Sequence, residues 1–340
     1  MSGNIETKEP RSEFNARTGR TLVWKKRDEE LARLIVPSTG KMPSALLSAR
    51  TCPCCGWDGR EWRYLWHKEG LQYVQCVDCG LVYINPHLKL ELLEEGYESG
   101  ELIRDWLKTL QAQEDLDTNK FRKLLEDMLL LMPVAYRDGA TTRVLDVGCS
   151  YGLFPHIATK EFHWYSVGLE LSKEAVELKR QLYGDEFSLH ALKLEDFAKR
   201  WENIKKFHAV TFWEVLEHVP DPNALLKVAF EMLAPRGVLG VMVPNLDART
   251  NRILHEKSRA FGANHLQYWN ARTLDQQLRR AGFVTETMYT MIADVNTWYN
   301  HMNYRDPYQG ELVHPLFTTV QNAVLDGGEG YKLVAFARRP

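Results

Sequence analysis

The sequence predicts an α/β fold built on a doubly wound, mostly parallel sheet. Three observations predict it. From residue 139 onward, short apolar runs alternate with amphipathic stretches of helical period. The first run, VLDV at 144–147, ends in an acid and opens into a glycine-spaced turn, GCSYG. Five of the six cysteines lie between residues 52 and 79, which marks off a small separate head upstream.

The expected strands are 144–147, 164–169, 187–192, 209–213 and 238–243. The expected helices between them are 153–159, 173–182 and 223–233. Strand and helix in repetition means a parallel sheet covered on both faces. Ligands of such sheets bind beyond the carboxyl ends of the strands. Upstream, residues 1–48 are polar and are expected to form a partly disordered extension with a short helix at 28–35. Residues 49–89 form the cysteine head. In residues 90–138, Leu90, Leu92 and Leu93, then Leu124, Leu125, Met128 and Leu129, recur at helical spacings and predict a helical linker or lid. Residues 139–340 form the main domain, with an insertion at about 285–330.

Composition removes several function classes. A formal net charge of -2 gives no overall basic field toward nucleic acid or an anionic membrane. The densest basic cluster, Lys25-Lys26-Arg27, is followed at once by Asp28-Glu29-Glu30 and reads as a solvated helix face. No run approaches the roughly 18 apolar residues of a membrane span. The first residues, MSGNIETKEPRSEF, lack the apolar core of a signal peptide. A cytoplasmic protein is expected, in which cysteines bind metal or stay free.

The turn after the first strand runs Asp146, Gly148, Cys149, Ser150, Gly152. Its glycines are out of phase with the G-x-G-x-x-G of dinucleotide folds. An acid at its head would repel a pyrophosphate and suit a ligand that carries an amine. Gly148 and Gly152 would let the backbone approach that ligand. Glu170, at the end of the second strand and 20 residues beyond Ser150, is placed to accept two ribose hydroxyls.

These residues resemble the first motif, D-x-G-C-G-x-G, of class I S-adenosylmethionine-dependent methyltransferases. The chain matches at Asp146, Gly148, Cys149 and Gly152 and departs at Ser150, where ordinary dihedrals would keep binding intact. LEHVPDP at 216–222, NHLQYWNARTLDQQLRRAGF before a sixth strand and YKLVAFARRP as a last strand extend the resemblance over about 140–290 plus the C-terminal strand. It implies a Rossmann-like sheet of seven strands and S-adenosyl-L-methionine as methyl donor. It also implies that Leu171, Leu194, Glu195 and Trp213 join the motif residues around the cofactor. A non-catalytic protein that kept the fold is the alternative that Ser150 leaves open, and a dehydrogenase is the weakest.

Cys52-x-x-Cys55 and Cys76-x-x-Cys79, with 20 residues between them, have the spacing of a four-thiolate zinc ribbon. Gly56 and Gly80 follow each pair, as turns that aim amides at sulfur require. Four thiolates close the coordination shell, so this zinc would be structural. CPCCG…CVDCGLVYINP also resembles the zinc-binding head of bacterial methyltransferases that act on sugars, polysaccharides or natural products. That implies a small-molecule acceptor, with O-methylation favoured. A zinc ribbon that recognises RNA is the alternative, and the absence of a basic face weighs against it.

Methyl transfer to an alcohol needs a placed nucleophile and a route for its proton. His218 and His265 are the candidate bases, with Tyr268 weaker. Each also reads as a loop-holding residue. Glu214-x-x-Glu217-His218 resembles the metal site of small-RNA 2′-O-methyltransferases and ubiquinone-pathway O-methyltransferases, which implies a second, divalent site for Mg2+ or a similar ion. The stretch NTWYNHMNYRDPY at 296–308 suits a polar ring-shaped acceptor, or else an oligomer contact that would make a homodimer.

Overall fold

The computed structural model describes residues 11–58, 61–93, 100–139, 141–200, 206–309 and 317–340. Two helices open the described chain, α1 (Arg11–Thr18) and α2 (Arg20–Leu34). Order therefore begins well before the short helix expected at 28–35; residues 1–10 of the proposed extension lie outside the described residues. The basic cluster on α2 is not a solvated face. Only Lys25 faces solvent, 3.9 Å from Glu29. Lys26 pairs with Glu101 and Asp105 at 2.6 Å each, and Arg27 lies 3.6 Å from Glu69. These pairs fasten α2 to the helices and the head that follow.

The head consists of strands β1 (Trp62–Lys68), β2 (Leu71–Cys76) and β3 (Val82–Ile84), paired antiparallel in that order. Helices α3 (Glu101–Ala112) and α4 (Glu114–Leu131) fill the region read as linker or lid. Leu124, Leu125 and Met128 on one face of α4 are fully buried, as their spacing predicted.

The main sheet begins with β4 (Arg143–Val147). It continues through α5 (Leu153–Lys160), β5 (Tyr165–Leu169), α6 (Lys173–Tyr183) and β6 (Ser188–His190). Then come α7 (Leu194–Arg200), β7 (Phe207–Trp213), α8 (Pro222–Met232) and β8 (Leu233–Pro244). All five expected strands are present. The interior strands are buried along nearly their whole length, because helices cover both faces. Local chemistry starts the helices. Ser172 caps α6 by accepting from the Ala175 amide at 3.1 Å, and Asp221 caps α8 with Pro222 as its first residue.

The chain ends with α9 (Arg249–Leu254), β9 (Gln267–Tyr268), α10 (Ala271–Arg280), β10 (Val284–Met291), α11 (Val295–Met302), α12 (Phe317–Asp326) and β11 (Lys332–Arg338). The seven strands run in the order β10-β11-β8-β7-β4-β5-β6. Only β11 runs against the others. The order reverses between β4 and β7, which opens the ligand crevice at their carboxyl ends. The expected insertion holds two short helices, with residues 310–316 outside the described set.

β9 belongs to the head. Its two residues pair with Tyr83 and Val82, so the head's sheet has four strands in the order β9-β3-β2-β1. The head also shares the main core: Cys52, Cys76, Leu81 and Tyr83 pack in one cluster with Leu226, Trp269, Leu274 and Leu278. Among the described residues no helix is long and apolar enough to cross a membrane.

Candidate functional site

The loop after β4 has three left-handed residues in alternation: Gly148 (φ 71), Ser150 (φ 51) and Gly152 (φ 86). A side chain at Gly148 would come within 2.6 Å of Val215, and one at Gly152 would overlap the Phe187 ring. Both glycines are therefore required by space as well as by dihedral. Ser150 does not have the ordinary dihedrals that were the condition set on it; it is left-handed, as glycine would be at that place. Its amide donates to Glu170 at 2.9 Å, and that bond holds it in the left-handed region.

Glu170 also accepts from the amides of Leu171 at 2.7 Å and Ser172 at 2.8 Å. The carboxylate thus organises both the loop after β4 and the loop after β5. Three amide donors leave it acceptor capacity toward a ribose. Asp146 is buried, and its only described donor is the Thr211 hydroxyl at 2.6 Å. Burial pushes its carboxyl up to about 8. Cys149 is buried under the same loop, and burial pushes its thiol up. Leu194 is buried at the start of α7, with Glu195 half-buried beside it. Trp213 packs edge-on to Phe154 at 5.4 Å, in the core below the loop.

The four head cysteines converge. Cys52 and Cys79 sulfurs are 3.5 Å apart, Cys55 and Cys76 are 3.6 Å apart, and all four lie within 4.8 Å of one another. A tetrahedron of sulfurs about 2.3 Å from zinc has edges of about 3.8 Å, so the donor set fits that ion. Gly56 and Gly80 take φ of 73 and 79, and their amides close turns onto the Cys52 and Cys76 carbonyls. Hydrogen bonding to Cys79 and burial push the Cys52 thiol up, and burial pushes Cys55 up to about 12. A dication would hold all four as thiolates. Cys54, although buried, is outside this set.

Glu217, His218 and His265 form a second cluster, with one ligand atom of each within 4.8 Å of the others. Both Glu217 carboxylate oxygens are buried without a hydrogen-bond partner among the described residues. His218 Nδ1 faces the Asn264 carbonyl at 2.9 Å, and His265 Nδ1 faces the Ala260 carbonyl at 2.7 Å. Those carbonyls assign the proton to Nδ1 and the lone pair to Nε2 in each ring. Burial pushes Glu217 up to about 8, His218 down to about 4 and His265 down to about 3. The same low polarity disfavours every charge in the cluster.

Two sequence candidates stand apart. Glu214, expected as a third ligand, has φ 61 and turns to an ion pair with Lys332 on β11; His265 takes its place in the cluster. Tyr268 is buried among Tyr73 and Phe261, and its hydroxyl faces the Gly262 backbone at 3.2 Å. Sequence reasoning missed the ties between head and sheet. Asn223 donates to the Pro53 and Cys54 carbonyls at 2.9 and 3.0 Å, and Arg272 donates to the Cys79 carbonyl at 3.0 Å. No spacing rule marks such side chain-to-backbone contacts. In the stretch at 296–308, Tyr308 packs edge-on to Trp24 at 5.3 Å and its hydroxyl accepts from the Arg259 amide at 2.6 Å. These residues line a groove of about 400 Å3 with Thr21 and Asp28.

Parts of the chain are similar to known proteins. A Xanthomonas oryzae pv. oryzae (strain PXO99A) protein named ubiquinone biosynthesis O-methyltransferase is 38% identical over 106 residues, covering 30% of this chain and 43% of its own length. A Pasteurella multocida (strain Pm70) protein of the same name is 31% identical over 109 residues, covering 28% of this chain and 44% of its own. The chain thus spans under half the length of these curated relatives. A crystal structure of a SAM-dependent methyltransferase from Archaeoglobus fulgidus superposes with a TM-score of 0.44 at 16% identity, over 66% of this chain and 93% of that one. The family profile described as "Methyltransferase domain" matches residues 101–287 of the 340, and the chain belongs to that family.

Proposed function

We infer that the chain transfers a methyl group from S-adenosyl-L-methionine to an oxygen of a small-molecule acceptor. The buried carboxylate of Glu217, without a hydrogen-bond partner among the described residues and close to two imidazoles whose lone pairs lie on Nε2, carries the acceptor side of this reading. A buried carboxylate is stable there only when it is protonated or faces a cation. The relatives named O-methyltransferases support oxygen as the acceptor atom.

The chain's own residues supply placement. Gly148, Ser150 and Gly152 turn the backbone so that the ligand can approach it, and Glu170 fixes that turn while accepting from a ribose. The sulfonium donor supplies an excellent leaving group, so the protein mainly orients the acceptor and takes its proton. A histidine held near pKa 4 is a weak base at neutral pH. Glu217, His218 and His265, one carboxylate and two imidazoles, therefore suit a transition-metal dication such as Mn2+ better than a bare histidine base, and better than the Mg2+ that two carboxylates would favour. When bound, the cation lowers the pKa of an acceptor hydroxyl. Cys52, Cys55, Cys76 and Cys79 hold structural zinc. Helices α3 and α4 serve as a lid: Tyr151 in the loop donates to Glu114 at 3.3 Å, and Arg104 pairs with Glu174 at 3.3 Å.

The test is calorimetric titration with S-adenosylhomocysteine, then with Mn2+, on wild type and Glu217→Gln. Micromolar binding of both ligands to wild type, with only Mn2+ lost in the variant, is expected. Failure of wild type to bind S-adenosylhomocysteine would overturn the methyl-transfer reading. Unchanged Mn2+ binding by the variant would overturn the cation reading alone.

A further inference from the structure

The residues of the Glu217–His218–His265 cluster come from two segments, 216–220 and 264–268, that are distant in sequence. The segments are stitched together directly. The Leu266 amide donates to the Glu217 carbonyl at 2.7 Å, and Gln267 Nε2 donates to the carbonyls of Leu216 and Val219 at 2.5 and 2.8 Å. Glu217, His218 and His265 themselves sit in loops, the first two after β7 and the third just before β9, and loops alone hold a site poorly.

The cysteine head supplies the remaining support. The Ile84 amide donates to the Leu266 carbonyl at 2.9 Å, and Gln267 and Tyr268 pair with Tyr83 and Val82 of β3. Arg50, two residues before Cys52, reaches both segments at once. Its Nη1 donates to the Pro220 carbonyl at 3.3 Å and to Gln267 Oε1 at 3.0 Å, and its Nη2 donates to the Leu266 carbonyl. Pro220 lies two residues beyond His218, and Leu266 is next to His265. The guanidinium also lies over the Tyr83 ring at 5.4 Å, so the strand that pairs with β9 seats it. The Arg50 amide is fixed in turn by Asn85 at 3.1 Å. A planar fork can satisfy several acceptors in fixed directions, whereas an ammonium is a point charge on a flexible stem.

We propose that Arg50 is a positioning residue through which the cysteine head sets the geometry of the Glu217–His218–His265 cluster. The head is then part of the acceptor side of the molecule, and its folding is coupled to the histidines. This rests on reading the cluster as the acceptor-side centre, but its geometry can be measured without any divalent ion.

The experiment uses full-length, zinc-loaded protein without added divalent metal. It compares wild type, Arg50→Met and Arg50→Lys by histidine ring NMR, zinc content and S-adenosylhomocysteine titration. In Arg50→Met, the His218 and His265 ring signals are expected to shift or broaden. Zinc should stay at one per chain and the S-adenosylhomocysteine Kd within about threefold. Arg50→Lys should fall between the two. Unchanged ring signals in Arg50→Met would overturn the proposal. Loss of zinc or of S-adenosylhomocysteine binding together with the ring shifts would also overturn it, by showing a general folding role. Should Arg50→Met fail to fold, Arg50→Lys and Gln267→Met are read by the same criteria. Wild type that binds no Mn2+ would sink the cation reading and leave this one standing.

Discussion

The Ser150 amide donates to the Glu170 carboxylate at 2.9 Å, across 20 residues of sequence and between neighbouring strands. One side chain therefore holds the left-handed turn of the first loop and presents its remaining acceptor capacity to the crevice. Glu170→Ala should lose both. S-adenosylhomocysteine binding is expected to weaken at least 100-fold, with a loss of stability of several kcal/mol, because three amides lose their acceptor and each one left buried and unpaired costs about 1–3 kcal/mol. Calorimetry together with a urea melt checks it. A Kd within threefold of wild type would show that the carboxylate serves the loop only.

Gly152 allows a second, steric test of the same loop. Its φ is 86, and a methyl there would overlap the Phe187 ring. Gly152→Ala should cost about 1–2 kcal/mol for the left-handed backbone alone, plus the displacement of Phe187. A thermal melt should show a drop of several degrees, and S-adenosylhomocysteine binding should weaken at least tenfold. Wild-type values of both would mean that the loop is softer than its contacts imply.

The parallel strands were legible in the sequence because sheets buried on both faces need continuous apolar runs. Residues 144–147 and 209–213 could hardly be anything else. That Glu170 meets the Gly148–Gly152 loop and that the four cysteines converge was legible in their spacing. The dihedral of Ser150 was not legible: it depends on the bond its amide donates to Glu170, which no local rule gives. Glu214 looked like a ligand from its spacing to His218, but the partner that draws it away, Lys332, arrives 118 residues later on β11. β9 was invisible because two residues that complete another element's sheet carry no periodicity of their own.

The zinc reading predicts different outcomes for neighbouring cysteines. Cys52→Ser should lower zinc content below one per chain and destabilise the whole protein, because Cys52 packs in the same core cluster as Leu226 of α8, Val210 of β7 and Trp269. Cys54→Ala should keep zinc, because Cys54 is outside the four-sulfur set and uses its backbone carbonyl, not its sulfur, to accept from Asn223. Metal analysis and melting curves on both variants decide it. A Cys52→Ser protein that loses zinc yet keeps its full thermal stability would show that the head is not part of the common core.

Asp146 predicts how stability depends on pH. Burial holds its carboxyl at about 8 in the folded chain, against 3.8 as the ordinary value. Between those values the folded state keeps a proton that the unfolded chain has released. The contribution of this group is therefore full below about pH 4 and is lost as pH rises toward 8. Each pKa unit corresponds to about 1.4 kcal/mol, so the cofactor-free protein should lose a few kcal/mol across that span. Asp146→Asn has no proton to release and should lose less, while keeping a polar group beside the Thr211 hydroxyl at the end of β4. Urea midpoints at pH 5 and pH 8 for both proteins measure the difference. Parallel slopes would mean that Asp146 is ionised in the fold, with water or backbone amides solvating it better than the burial of β4 suggests.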